Sequence, residues 1–138
     1  MKAARVDTWA AELRDRVGSL SEKLAALADA GVNLEFVIAR RTPEKHGAAV
    51  VFVTPIKGAA RCRAARKAGF RKTTSLHTVR VEGPDRQGQG ARIAQMLAEA
   101  GISLRGLSAA AIGKSFVSHI AVDTTADAAK AMRLLKAL

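Results

Sequence analysis

From Leu76 to Glu82, the residues Leu76, Thr78, Arg80 and Glu82 alternate with His77, Val79 and Val81. Period two is the side-chain period of a strand, so the stretch predicts a strand half-buried through Val79 and Val81. Gly83-Pro84-Asp85 ends it, since proline has no N–H for a ladder and glycine accepts a turn. From about Gln89 the period changes. Ile93, Met96, Leu97 and Ala100 fall on one helical stripe, and Gly101 supplies the stop. Ile102 and Leu104 then return to period two. Two strands are predicted, Ser103 to Ile112 and Phe116 to Asp123, joined at Gly113-Lys114 as a tight hairpin. A last helix, capped by Thr124 or Thr125, turns Ala128, Met132 and Leu135 inward.

The first half of the chain repeats these signals in the same order. It predicts a strand Val6 to Leu13, a helix Ser19 to Ala30, strands Asn33 to Arg41 and Ala48 to Thr54, and a helix Lys57 to Ala68. The loop between its middle strands is Thr42 to Gly47. A displacement of 70 positions, with no gap, lays Asp15-Arg16 on Asp85-Arg86 and Leu27-Ala28 on Leu97-Ala98. It also lays Ala30-Gly31-Val32-Asn33-Leu34 on Ala100-Gly101-Ile102-Ser103-Leu104, and Val50 to Thr54 on Ile120 to Thr124. Self-similarity at one spacing is the mark of a duplicated unit. The expected fold class is therefore α+β, with two βαββα repeats, residues 1–75 and 76–138, each an antiparallel sheet with helices on one face.

Closure of the sheets is the open point. Arg71 to Glu82 must close the first repeat's sheet, open the second's, or do both. The second repeat ends at Leu138, which aligns with Ala68, so it lacks a final strand. A bare sheet edge invites pairing, and either Met1 to Arg5 or a second copy of the chain can supply it. The expectation is a homodimer.

Composition adds limits. Half of the 138 residues are hydrophobic (49%), which argues against disorder, but much of that share is alanine, so bulky core anchors are few. The mostly apolar stretch from Gly101 to Val122 is broken by Arg105, Lys114 and His119, so no membrane span is expected. The N-terminus has no signal-peptide run, and the single cysteine, Cys62, forms no intramolecular disulfide framework. A cytoplasmic protein is expected. Cys62 aligns with Met132, an inner helix position, and reads as a small core residue. His46, His77 and His119 lie apart with no carboxylate or thiol at ligand spacing, so no metal is expected. The net charge of +11 changes the picture more, because it raises nucleic acids or acidic surfaces as partners. Lys57, Arg61, Arg63, Arg66, Lys67, Arg71 and Lys72 contribute much of it within one acid-free run.

Candidate chemistry sits in the turns before the first helix of each repeat. A turn glycine lets backbone approach a ligand closely, and the free N–H groups and positive dipole end of the next helix suit a carboxylate. The residues concerned are Leu13 to Leu20 followed by Ala30 to Leu34, and Gly83 to Gly88 followed by Ala100 to Leu104. In this strand–turn–helix signature the chain resembles the ACT domain family, ferredoxin-like βαββαβ modules that bind amino acids and related small ligands. The resemblance spans nearly the whole chain. It implies a tandem ACT protein whose ligand-binding residues are Asp15, Arg16, Val17, Gly18, Ser19, Leu20 and Asn33 in the first repeat. In the second they are Asp85, Arg86, Gln87, Gly88, Gln89, Gly90 and Ser103. The family often has proline before the turn glycine, where this sequence has Val17 and Gln87.

Other classes fare worse. Gly83 to Gly90 contains neither G-x-G-x-x-G nor a following Gly-Lys-Ser/Thr, so it does not read as a phosphate loop. No serine has an evident base and orienter, so catalysis has no nameable machinery. The alternative function is nucleic-acid binding on the same fold, favoured by the basic run and opposed by the scarcity of aromatics, Trp9 and four phenylalanines, for stacking bases. The expectation is a non-catalytic, regulatory small-molecule-binding protein without a cofactor. Its partners would be an amino acid or similar small anion, a second copy of itself and a regulated protein.

Overall fold

The computed structural model describes residues 1–138. The period-two stretch at the N-terminus is two strands, β1 (Lys2–Val6) and β2 (Trp9–Arg14), separated at Asp7-Thr8. The expected strand from Val6 to Leu13 is thus split. After β2 come α1 (Ser19–Asp29), β3 (Phe36–Arg41), β4 (Ala48–Thr54), α2 (Ala59–Lys67) and β5 (Arg71–Lys72). Then follow β6 (His77–Pro84), α3 (Gln89–Glu99), β7 (Leu104–Ile112), β8 (Ser115–Val122) and α4 (Thr125–Ala137). Arg71 to Glu82 does both things open to it. Its first part closes one sheet, with Arg71 opposite Ala10 and Lys72 opposite Trp9, and its second part opens the other.

The N-terminal strand answers the question of closure. β1 runs antiparallel to β6, from Lys2 opposite Glu82 to Val6 opposite Thr78. The edge expected to be bare is covered by the chain's own first residues. Residues 7–73 form one compact unit, and residues 1–6 with 74–138 form the other. The sequence reading placed residues 1–6 in the first repeat; their ladder belongs to the second. In both units the strand order is the same: β3-β4-β2-β5 in the continuous unit and β7-β8-β6-β1 in the split one.

Alternation along the strands decides what each unit buries. In the split unit Val79, Val81, Phe116, Ile120 and Val122 pack with Ile93 and Leu97 of α3 and with Ala128, Ala131 and Leu135 of α4. Both helices lie on one face. Trp9, Ala11, Leu13, Val51 and Val53 meet Leu27 of α1 and Ala65 of α2 in the continuous unit. Cys62 packs against this core, its thiol directed at Ile56 O, 3.7 Å away. Both first helices end alike: Gly31 N and Val32 N donate to Ala28 O and Leu27 O, and Gly101 N and Ile102 N to Ala98 O and Leu97 O. Gly31 and Gly101 have φ of +81° and +72°, the left-handed stop that glycine allows at least cost.

The repeat needs a gap after all. Trp9 faces Val53, so the displacement of 70 predicts that Val79 faces Asp123; it faces Ile120 instead. The hairpin between β7 and β8 is a two-residue turn, Gly113-Lys114, whereas β3 and β4 are joined by the longer loop after Arg41. Register recovers before α4, where Leu135 is buried as Ala65 is in α2. Thr124 caps α4, accepting from Asp127 N at 3.0 Å.

Candidate functional site

Each first helix starts from a sharp turn at the end of the sheet's opening strand. In the continuous unit Asp15 N donates to Gly47 O at 2.9 Å, Ser19 N to Arg16 O at 3.3 Å, and Glu22 N to Gly18 O at 3.0 Å. In the split unit Asp85 N donates to Lys114 O at 2.9 Å, Gln89 N to Arg86 O at 3.1 Å, and Arg92 N to Gly88 O at 3.0 Å. The two turns share one backbone conformation. Gly18 (φ +89°) and Gly88 (φ +79°) cap the helices in the left-handed region, with no side-chain hydrogen bond at either cap. The first-turn N–H groups are therefore left without a side-chain acceptor. Apart from its own chain neighbours and helix backbone, nothing lies within 4 Å of where a Cβ would stand on Gly18, Gly88 or Gly90.

Side chains make the two turns different. A cavity of about 280 Å³ opens beside the first, lined by Glu12, Leu13, Arg14, Arg16, Ser19, Glu22 and Lys23. Arg16 reaches Glu22 at 2.9 Å, and Asp15 is held by Arg41 at 2.9 Å. Lys23 donates to Ala68 O at 2.5 Å. Mixed charge around a small opening suits a ligand carrying both signs. At the second turn Met1 lies over Gly83, where an added Cβ would come within 2.7 Å of its Cγ. Gln89 is buried; its Nε2 donates to Met1 Sδ at 2.9 Å, and its Oε1 has no hydrogen-bond partner.

Of the residues expected at the first site, Arg16 and Ser19 line the cavity, Gly18 caps the helix behind it, and Asp15 is turned to Arg41. Val17 is 99% exposed at the tip, and Leu20 packs against the core. At the second, Asp85, Arg86, Gln87 and Gly88 are exposed along the turn, with Gln89 and Gly90 opening the helix. Asn33 and Ser103 are not beside these turns. Each follows the C-terminal end of an eleven-residue helix, about 16 Å along the axis from its first residue. Sequence reasoning missed Glu22 and Lys23, although their spacing of three and four from Ser19 puts them on its face of α1. Arg41 and Met1 carry no local signal, because Arg41 reaches its turn from β3 and Met1 reaches its turn from just before β1.

Neither a protein-family model nor a curated protein sequence matches the chain. Solved structures do. A protein from Bacteroides thetaiotaomicron superposes with a TM-score of 0.80 at 15% identity, over 97% of this chain and 90% of its own. The regulatory subunit of aspartate kinase from Thermus thermophilus, ligand-free, gives 0.65 at 16% identity over 99% and 96%. Aspartokinase α and β subunits give 0.64 at 20% over the same shares. The chain has the tandem ACT fold. In this version of the fold one unit is inserted into the other, since residues 7–73 interrupt a unit built from both ends. No helix of the chain is long and apolar enough to cross a membrane.

Proposed function

We propose that this tandem ACT chain is a non-catalytic regulatory protein of the cytoplasm that senses an amino acid or similar small anion at its two glycine-capped turns. The observation that carries this reading is the recurrence of one turn conformation at both helix starts, with no side-chain cap and open ground at Gly18, Gly88 and Gly90. Gly90 strengthens it. It sits inside α3 with no positive φ and nothing near its absent Cβ, so the fold itself has no need of glycine there. The likeness to regulatory subunits of aspartate kinase supports the same reading. Binding would act by shifting a conformational or association equilibrium, which requires different affinities for the two states. The association proposed is a homodimer, and a regulated protein would read the result.

Calorimetric titration with a panel of amino acids tests the reading. Arg16→Ala and Gly90→Leu alter the two turns at exposed or open positions. One amino acid is expected to bind wild type and to lose about tenfold or more in affinity in a variant of the turn it uses, roughly 1.4 kcal/mol. Unchanged affinity in both variants, each shown by a cooperative thermal transition to be folded, would remove the turns from the site.

A further inference from the structure

The basic run is the strongest charged feature that the ligand turns leave unused. Lys57, Arg61, Arg63, Arg66, Lys67, Arg71 and Lys72 are all exposed, with no acid among them. Only Lys72 has a carboxylate partner, Asp7 at 3.1 Å. Three arginines are held in place without being neutralised. Arg61 Nε donates to Gly31 O at 3.0 Å. One terminal nitrogen of Arg71 donates to Arg66 O at 2.9 Å and to Phe70 O at 2.8 Å. The Arg66 guanidinium lies over the Trp9 ring, 5.3 Å from its centroid. Carbonyls and a ring face fix a guanidinium while leaving its full charge. Arg63 and Lys67, four apart on α2, share its outer side. The corresponding helix α4 mixes Asp127 with Lys130, Arg133 and Lys136, so the acid-free charge belongs to α2 and not to the fold.

Cations already fixed lose little side-chain freedom on meeting an anion, and their mutual repulsion is relieved by counter-charge. A string of phosphates supplies that charge at several points at once. We propose that α2 and β5 form a sequence-blind docking surface for the phosphate backbone of a nucleic acid. Base readout is absent from this surface because Trp9 and Phe70, the aromatics beside the run, are buried and offer no stacking platform.

Fluorescence anisotropy of the full chain with two labelled DNA duplexes of about 20 base pairs and unrelated sequence, between about 50 and 200 mM salt, tests the proposal. Equal affinities are expected, with log K falling against log salt at a slope of about −4 to −5 for roughly five phosphates. Arg63→Glu with Lys67→Glu is expected to cost about tenfold or more and to flatten the slope by about two. Arg133→Glu with Lys136→Glu, a charge-matched change on the exposed side of α4, is expected to cost less than about threefold, since it leaves every cation of α2 and β5 in place. Thermal melts establish that both variants are folded. No binding at the lowest salt, equal loss in both variants, or a strong preference for one duplex would overturn the proposal. Displacement of the duplex by polyglutamate at equal charge would also overturn it, reassigning the surface to an acidic protein.

Discussion

Three glycines of the proposed site differ in what the backbone asks of them. Gly18 and Gly88 sit at φ +89° and +79°, where a Cβ crowds the following carbonyl. Gly18→Ala is expected to destabilise the protein by about 1–2 kcal/mol. Gly90 is in helical conformation with space around it, so Gly90→Ala is expected to stabilise by about 0.5–1 kcal/mol through helix propensity alone. Urea denaturation of the two variants checks the opposite signs; a shift of the same sign in both would contradict the geometry. At this scale the sequence was readable where one residue type answers one backbone need, as with Gly18, Gly88 and the helix stops Gly31 and Gly101. It was not readable where the partner is far along the chain. Nothing near Gln89 announces Met1, and nothing near Asp15 announces Arg41, because those contacts are made by the sheet and not by local sequence.

Among the elements, sheet edges are the ones that invite a partner. β1 carries Lys2 and Arg5, β3 carries Arg40 and Arg41, and β5 is Arg71-Lys72. Charged side chains of this kind discourage edge-to-edge pairing. β7 is the exception: it has nine residues, Arg105 is its only charge, and Ile112 is 69% exposed. In a chain of net charge +11 an almost uncharged strand is also where a second copy meets least repulsion. Antiparallel pairing of β7 with its own copy about a two-fold axis would satisfy both edges at once. The homodimer of the proposed function is thus supported by this edge, the missing strand having been supplied by β1. Sedimentation equilibrium is expected to give about twice the chain mass of 14.5 kDa for wild type, and about one chain mass for Ala110→Lys with Ile112→Lys. A monomeric wild type would remove β7 as an interface. The strands and helices themselves were legible from periodicity, yet the gap-free repeat was not right at β8. A slip from position 123 to 120 exchanges the two faces of a strand, but β4, AAVVFVT, is apolar on both and so hid it; the shorter hairpin turn at Gly113-Lys114 sets the register.

At the scale of the whole molecule, the second repeat is completed by residues that precede the first. Counting repeats leaves open which segment lies on the free side of β6. It could not show that Lys2–Val6 lies there, because ladder pairing is made by backbone groups and KAARV carries no code for its neighbour. What distinguishes the right strand is the position of Ala3, opposite Val81 in the register and 7% exposed within the split unit's core. Ala4, the next residue, faces outward and is exposed. Ala3→Glu would press a carboxylate into an apolar cluster with no cation in it, at an expected cost of about 3 kcal/mol or more. Ala4→Glu should stay within about 0.5 kcal/mol of wild type, as surface changes do. Hydrogen exchange locates the effect: amides of β6 that bond to β1 should exchange faster in Ala3→Glu and keep their protection in Ala4→Glu. Equal loss in the two variants would mean that β1 rests loosely on the edge and that the split unit stands without it. Loss in Ala3→Glu alone would establish that the chain closes its second sheet with its first strand.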